Sequence, residues 1–180
     1  PKRKKSKTTG SVQKKKKTKQ PSPTIILEQF TDKIEEDHNI IFKPNVGPQT
    51  DFLAASEREV LYGGSAGGGK SYAMLADPLR FMDVPAFAGV LLRHTTEELR
   101  ELITKSQEMY PKIWPGIKWS ERKMTWTAPS GATLWLSYLD KDQDVTRYQG
   151  LAFSWIGFDE LTQWATPFAW NYMRSRLRSA

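Results

Sequence analysis

The sequence predicts an α/β fold with a mostly parallel sheet. Short apolar runs alternate with segments of helix-forming composition along most of the chain. A glycine-rich turn joins the first apolar run to a helical segment, and a later apolar run ends in two adjacent acidic residues. Parallel strands need long crossover connections, which are usually helices, so strand–helix alternation is typical of this fold class.

Local patterns predict the first three elements. EVLYGG, residues 59–64, is a short apolar run that ends in glycine, which predicts a strand. KSYAMLADPLRFM, residues 70–82, has apolar residues near helical spacing and predicts a helix with a break or kink at Pro78. FAGVLLRH, residues 87–94, is mostly apolar and predicts a buried strand.

A helix and a β-hairpin come next. TTEELRELITKSQEMY, residues 95–110, begins with two candidate N-caps, Thr95 and Thr96, and Pro111 is expected to end this helix. Residues 118–139 alternate apolar and polar side chains around APSGA, which is typical of a hairpin. We expect this hairpin to be an insertion in the sheet-forming domain.

The last apolar run, AFSWIGFDE at residues 152–160, predicts a third strand. The following segment, residues 161–179, is mostly helical in composition and is interrupted at Pro167. Strand and helix therefore alternate up to the end of the chain.

Charge divides the chain into a tail and a domain. Residues 1–20 contain 10 Lys and Arg and no acid, whereas the rest has 17 basic and 20 acidic residues. We predict a disordered basic tail at 1–23, a connector at 24–45 and one folded domain at 46–180. The tail suits either contact with nucleic-acid phosphates or a solubilising role. The absence of Cys excludes disulfides and cysteine nucleophiles, and no apolar run reaches membrane-spanning length.

The glycine-rich turn fits the phosphate-loop pattern G-x-x-x-x-G-K-[ST], between a predicted strand and a predicted helix. Backbone N–H groups bind phosphate oxygens in such a loop, and side chains would block their approach. We expect Lys70 to bind the β- and γ-phosphates of a nucleotide and the Ser71 hydroxyl to bind Mg²⁺. The alternative is a turn that binds nothing. The predicted nucleotide-binding residues of this turn are Gly64, Ser65, Ala66, Gly67, Gly68, Gly69, Lys70 and Ser71.

Two acids follow the last apolar run, in WIGFDE. We expect Asp159 to bind Mg²⁺ and Glu160 to polarise an attacking water as general base. Two acids alone are equally typical of a solvated strand end or a helix N-cap. Because the phosphate loop is also present, the sequence favours nucleotide hydrolysis.

The motifs together resemble the N-terminal ATPase domain of the large terminase subunit, the DNA-packaging motor of tailed bacteriophages. The resemblance covers about residues 46–180 and implies a P-loop NTPase fold of the ASCE type, a three-layer sandwich that binds ATP and Mg²⁺. The helix ending RSRLR adds to it. Four stretches carry most of the resemblance: GPQTDFLAAS, YGGSAGGGKSYAM, GVLLRHTTEEL and RYQGLAFSWIGFDELTQW.

The resemblance implies roles for individual residues. Gln49 corresponds to the glutamine that reads adenine in this family, and Lys70 and Glu160 correspond to the catalytic groups. Motors of the family also need an arginine at the γ-phosphate, because negative charge develops there in the transition state. Each candidate could instead form an ordinary ion pair. The candidate arginines are Arg93, Arg147, Arg174, Arg176 and Arg178.

The resemblance also implies partners: double-stranded DNA, a portal protein, a small terminase subunit and further copies in a ring on the portal. The expected location is the host bacterial cytoplasm and, transiently, the procapsid portal. The family's large subunit continues into a nuclease domain, so we expect this chain, which stops at Ala180, to be a truncated fragment without nuclease activity. Two alternatives stay open: another P-loop DNA-dependent ATPase of helicase or recombination type, and a non-catalytic fragment that binds ATP or DNA.

Overall fold

The computed structural model describes residues 40–64 and 67–178. These residues belong to the compact unit Asp37–Ala180. The predicted tail at 1–23 and the part of the predicted connector before residue 40 lie outside the described residues, as do Ser65 and Ala66 of the glycine-rich loop.

A mixed sheet of five strands lies at the centre of the described residues and confirms the α/β class. β1 pairs in parallel with β4 and β5, whereas β2–β3 and β3–β4 are antiparallel. The mostly parallel arrangement therefore holds only for β4, β1 and β5, since the short loops joining β2, β3 and β4 permit antiparallel pairing alone. The sheet order is β2-β3-β4-β1-β5, with β1 Ala88–Arg93, β2 Lys118–Ser120, β3 Thr125–Thr127, β4 Thr133–Tyr138 and β5 Trp155–Phe158.

The hairpin predicted around APSGA is present, because these residues connect β3 to β4. The Ala128 amide donates to the Ala132 carbonyl at 2.9 Å and closes the turn. The expectation that the hairpin is an insertion was wrong. β4 pairs with β1 from Thr133 to Tyr138, so it is an integral strand of the sheet.

Helices lie on both faces of the sheet. Helix α1 has no counterpart among the predicted elements, since seven residues are too few for a periodic signal. The α-helices of the described residues are α1 Pro48–Ala54, α2 Lys70–Ala76, α3 Thr96–Ile113 and α4 Phe168–Arg174. Short 3₁₀ helices occupy Asp77–Phe81, Asp142–Tyr148 and Leu161–Gln163.

Proline residues determine where two of the helices change. Helix α2 becomes a 3₁₀ helix at Asp77, next to Pro78, which confirms the predicted break. Pro167 is the N-cap of α4 and confirms the predicted interruption. The prediction that Pro111 ends α3 was wrong, because the helix continues to Ile113. Pro111 lies in the last turn, where a missing N–H and a bulky ring disturb little of the helix.

Thr95 caps α3, as its sequence predicts. The Thr95 hydroxyl accepts from the Glu98 amide and the Glu98 carboxylate accepts from the Thr95 amide, both at 3.3 Å. This reciprocal pair is a capping box, which satisfies two backbone donors at the start of a helix.

The strand predicted at 59–64 is not formed, so that prediction was wrong. Residues 60–64 pair with no strand of the described part of the chain, and Leu61 is 82% exposed. Tyr62 instead stacks on Phe52 of α1, with ring centroids 5.2 Å apart. Apolar character favours a strand, but a strand also needs a neighbour with free backbone groups.

The hydrophobic core lies on both faces of β1. Leu91 faces a cluster that includes Leu75 of α2 and Leu102 of α3. Val90 and Leu92 face the opposite cluster, which includes Met173 of α4. Buried side chains on both faces explain why this strand is a continuous apolar run in the sequence.

Candidate functional site

The glycine-rich loop has the backbone of a tight, left-handed turn. Gly64, Gly67 and Gly69 have φ angles of 137°, 82° and 74°, a region that L side chains rarely adopt. Gly69 is the N-cap of α2, and Lys70 is the first residue of that helix. The glycines are therefore required by the path of the chain into α2.

Gln49 holds the last glycine of the loop. Its Nε2 donates to the Gly69 carbonyl at 2.9 Å, and its Oε1 accepts from the Asn45 amide at 2.6 Å. A Cβ added to Gly69 would come within 2.7 Å of this Nε2 atom. Gln49 is buried, and its amide keeps one N–H and one carbonyl lone pair for a further partner.

Two more side chains hold the loop from within. The Tyr62 hydroxyl donates to the Gly68 carbonyl at 3.0 Å, and the Lys70 ammonium donates to the Gly64 carbonyl at 3.1 Å. Lys70 therefore folds back along the loop. Both bonds lie at the surface, where hydrogen bonds add little to stability.

A cavity of about 250 Å³ opens between α1 and the loop. Its volume lies just below the roughly 300–1,000 Å³ usual for small-ligand sites. Because the loop forms one wall, a modest movement of the loop would enlarge it. The lining residues are Asn45, Val46, Pro48, Gln49, Tyr62, Gly63, Gly64, Gly68 and Lys70.

Asp159 is fixed at the carboxyl end of β5. Its amide donates to the Leu92 carbonyl at 2.9 Å, which extends the β1–β5 ladder by one bond. Its carboxylate forms an ion pair with Arg93, the last residue of β1, with 3.0 Å between Oδ2 and Nη2. Both side chains are buried, with 3% and 6% exposed. Parallel pairing therefore brings together two residues that are 66 positions apart.

Glu160 adopts a left-handed backbone, with φ 59°. This conformation is uncommon for a residue with a side chain, and strained backbone of this kind clusters at functional sites. Glu160 is exposed, and none of the described residues hydrogen-bonds its carboxylate. The carboxylate is therefore free to meet a ligand or a water.

Helix α2 brings the loop and the acids to the same end of the sheet. A Cβ on Gly157 would come within 2.7 Å of the Met74 methyl, so α2 lies directly on β5. Trp155 Nε1 donates to Asp77 Oδ2 at 2.7 Å. Since Met74 meets Gly157 and Asp77 meets Trp155, α2 and β5 run in opposite directions.

The ends of these elements can then be placed. Four residues of helix from Met74 back to Lys70 span about 6 Å. Two residues of strand from Gly157 on to Asp159 span about 6.6 Å. Lys70 and Ser71 therefore lie toward the end of the sheet that carries Asp159 and Glu160.

Tyr110 binds the C-terminal end of α2. It is fully buried on α3, and its hydroxyl donates to the Leu75 carbonyl at 2.8 Å. Burial raises the pKa of this hydroxyl far above its ordinary value, so it stays a neutral donor. The helix that follows the loop is thereby tied to the core.

The 3₁₀ turn after the acids is tied to α3. Gln163 Nε2 donates to Glu98 Oε1 at 2.7 Å. Desolvation acts to raise the pKa of Glu98. Hydrogen bonds from Gln163 and Thr95 and the charge of Arg93 together outweigh it, so the pKa of Glu98 lies below its ordinary value. Glu98 therefore stays ionised beside the site.

The other candidate arginines lie at different ends of the sheet. Arg147 donates to the Tyr138 carbonyl at 3.2 Å, at the carboxyl end of β4, and pairs with Asp144. Arg176 packs on the Tyr172 ring, and its carbonyl accepts from Phe153, just before β5 begins. Arg147 therefore lies at the same end of the strands as Asp159, and Arg176 lies at the opposite end.

Arg174 and Arg178 have partners of their own. Arg174 pairs with Glu59 at 2.5 Å, and Arg178 donates to the Ser175 and Leu177 carbonyls. Arg174 therefore joins α4 to the segment before the glycine-rich loop, and the Arg178 side chain donates to residues that follow α4.

The donor atoms of this site fit Mg²⁺ bound together with a phosphate. The Ser71 hydroxyl and the Asp159 carboxylate are oxygen ligands of the kind Mg²⁺ takes. Asp159 Oδ2 is buried and accepts no well-aligned hydrogen bond from the described residues. Within those residues no group of three acidic, His or Cys side chains could hold a metal alone. Mg²⁺ commonly takes one or two carboxylates and completes its shell with phosphate oxygens and waters.

Two contacts of the site were not predicted from the sequence. The first is the Arg93–Asp159 ion pair, although a charged residue at the end of a buried strand signals the need for a counter-ion. The second is the bond from Gln163 to Glu98, for which the sequence carries no signal that we can identify.

A comparison with protein families places the chain. The family model for the terminase large subunit, T4likevirus-type, N-terminal, matches residues 61–177, which include the loop, both strand-end acids and Arg93. No curated protein matches the chain. In the part of the chain that the structure describes, no helix is long and apolar enough to cross a membrane.

Proposed function

The chain belongs to the T4likevirus-type terminase large subunit family, in its N-terminal part, and we propose that it is the ATP-hydrolysing motor domain that drives viral double-stranded DNA into the procapsid. One observation carries the ATPase part of this proposal: α2 lies antiparallel on β5. That packing directs Lys70 and Ser71 toward the end of the sheet that holds Asp159 and Glu160. We propose that the domain has the P-loop sandwich fold of such ATPases.

ATP is the proposed substrate. Lys70 leaves the Gly64 carbonyl and binds the β- and γ-phosphates, while loop amides bind the remaining phosphate oxygens. Gln49 uses its remaining amide N–H and carbonyl lone pair to read the adenine edge. Ser71 and Asp159 would hold Mg²⁺, which would supply positive charge against the phosphates.

Hydrolysis requires an activated water. Glu160 accepts a proton from a water that attacks the γ-phosphorus, the bond to the β–γ bridging oxygen breaks, and ADP and phosphate leave. Its exposed carboxylate is suited to this role because no described residue occupies it. Arg93 and Arg147 both lie at the carboxyl end of the sheet, and we assign the γ-phosphate role to Arg147 because Arg93 is already paired with Asp159.

The proposed partners follow from the family. We propose that the chain acts in the infected host cell at the procapsid portal, as part of a homo-oligomeric ring with the portal protein and the small terminase subunit. The basic residues at 1–20 are proposed to contact DNA phosphates.

Steady-state ATP hydrolysis, with and without double-stranded DNA, tests the proposal. We expect turnover in the wild type and its loss in Lys70→Ala and Glu160→Gln. Lys112→Ala and Glu108→Gln make the same chemical changes on the exposed face of α3 and should keep full activity. Binding of ATP without turnover would reduce the function to nucleotide binding, and a folded protein that binds no ATP would refute the proposal.

A further inference from the structure

The carboxylate proposed to hold Mg²⁺ already has a cationic partner. Arg93 Nη2 lies 3.0 Å from Asp159 Oδ2, and both side chains are buried. Neither residue is satisfied by this contact. Arg93 Nε and Asp159 Oδ2 are both buried without a well-aligned hydrogen bond to any described residue. The pair is therefore held by charge rather than by the paired hydrogen bonds of a bidentate arginine–carboxylate contact.

We propose that Arg93 is the counter-ion of Asp159 only while the site is empty, and that Arg93 and Mg²⁺ compete for this carboxylate. Loading of Mg·ATP then displaces the guanidinium from Asp159. This inference deepens the proposed function and rests on it, because it takes Asp159 as the Mg²⁺ ligand. Arg93 is a positioning residue in this account, since it acts through Asp159.

Electrostatics argues for competition rather than shared binding. Mg²⁺ binds its oxygen ligands at about 2.0–2.1 Å. A guanidinium 3.0 Å from the same oxygen would then face a divalent cation at close range in a site that water barely reaches. Like charges repel strongly in such an environment, because little solvent screens them. The two cations therefore compete for Asp159 Oδ2.

The displaced guanidinium has other acids nearby. Glu98 and Glu101 lie in the first two turns of α3, directly after β1. The pKa of Glu101 is held down mainly by the hydrogen bond and charge of Lys105, and further by the charge of Arg93. Arg93 also contributes to the lowered pKa of Glu98. A small movement toward α3 would keep the charge of Arg93 compensated.

Metal affinity is the first test. Mn²⁺ is titrated into the full chain with saturating AMP-PNP, a non-hydrolysable ATP analogue, and free Mn²⁺ is measured by electron paramagnetic resonance. Removing the competitor in Arg93→Gln should tighten Mn²⁺ binding by about tenfold. Arg93→Lys keeps the positive charge and should bind Mn²⁺ close to wild type, while Asp159→Asn should weaken binding. A folded Arg93→Gln that binds Mn²⁺ equally or more weakly would overturn the proposal.

A second test uses the wild-type protein, since Arg93→Gln leaves a buried charge and can fail to fold. The buried Nε–H of Arg93 gives a nuclear magnetic resonance signal that is identified by its absence in Arg93→Lys. AMP-PNP with EDTA should leave this signal in place, and Mg²⁺ with AMP-PNP should shift it. A signal that stays unchanged with Mg·AMP-PNP bound would also overturn the proposal.

Failure of the ATPase proposal can be distinguished from failure of the competition proposal. Binding of AMP-PNP in EDTA, and its loss in Lys70→Ala, reports on the phosphate loop alone. If AMP-PNP does not bind, the ATPase proposal fails. The competition is then judged by Mn²⁺ without nucleotide, where Arg93→Gln should still bind more tightly than the wild type, whereas Arg93→Gln/Asp159→Asn should bind no more tightly than Asp159→Asn. Equal binding by the wild type and Arg93→Gln would refute the competition as well.

Discussion

The acidic end of β5 and the glycine-rich loop lie at the same end of the sheet, but they are held in opposite ways. A Cβ on Gly157 would come within 3 Å of Met74 and Leu91, whereas Gly63 and Gly67 have no neighbouring atom within 4 Å of that position. Packing fixes the acidic half before any ligand arrives. The loop half is held by surface hydrogen bonds from Tyr62 and Lys70 and by the bond from the buried Gln49 to the Gly69 carbonyl, with no side-chain packing at Gly63 or Gly67.

Amide hydrogen exchange should show the largest difference between the halves. Leu92 is buried in a ladder with strands on both sides, and Leu61 is exposed outside the sheet. We expect exchange at Leu92 to be slower by about three orders of magnitude or more, since opening it requires nearly global unfolding. Mg·AMP-PNP should slow exchange at Gly67–Gly69 and leave β1 almost unchanged. Comparable protection at Leu61 and Leu92 would refute the claim that the two halves differ in rigidity.

Matched glycine substitutions should give the next largest effect. Gly157→Ala forces a methyl against Met74 and Leu91, and we expect it to lower the free energy of unfolding by about 3 kcal/mol. Gly63→Ala places a methyl in open space and should change that free energy by less than about 1 kcal/mol. Urea denaturation measures both. Similar losses in the two variants would mean that the loop half is also packed.

Matched tyrosine substitutions test the boundary between the halves. Tyr110→Phe leaves the buried Leu75 carbonyl without its donor and should cost about 1.5 kcal/mol. Tyr62→Phe removes a surface bond to the Gly68 carbonyl and should cost less than about 0.5 kcal/mol. Thermal unfolding of both variants is the measurement. A larger loss in Tyr62→Phe than in Tyr110→Phe would place the rigid part of the site in the loop instead.

The smallest effect is a pH dependence at Asp77, where α2 meets β5. Burial raises the pKa of Asp77, and the charge of Arg80 and the bonds from Trp155 and Arg80 offset part of this. Its contribution to stability is therefore full below the unfolded pKa and is lost as pH rises through the folded pKa.

Asp77→Asn removes this titration. The stability of wild type relative to Asp77→Asn should fall as pH rises above the ordinary pKa of an aspartate, because only the wild type must ionise a buried carboxyl. Urea midpoints of the two proteins from acidic to neutral pH measure this difference. A difference that rises with pH would show that the pairing with Arg80 outweighs burial.

Sequence patterns predicted the parts of the molecule that local chemistry decides. The continuous apolar run of β1, the Thr95 cap of α3 and the break of α2 at Pro78 all appear in the structure. The family inferred from the four motif-bearing stretches is confirmed by the match over residues 61–177. The nucleotide-binding and catalytic roles of Lys70 and Glu160 stay predictions.

Features that depend on residues distant in the chain could not be predicted from the sequence. Residues 59–64 have the composition of a strand but lack a partner, and composition says nothing about partners. The ion pair of Arg93 with Asp159 needs β1 beside β5 in one register, which no local pattern specifies. The hairpin was found, but its strand β4 proved to belong to the sheet because pairing with β1 is again a tertiary fact.

The left-handed backbone of Glu160 affects what a directed-evolution experiment would select at this position. Glycine adopts this conformation without strain, so Glu160→Gly should raise the free energy of unfolding by about 1 kcal/mol. The same change removes the proposed general base. Under the proposed mechanism, a library selected only for heat resistance would therefore enrich a variant without this base, whereas selection for DNA packaging would keep the strained acid.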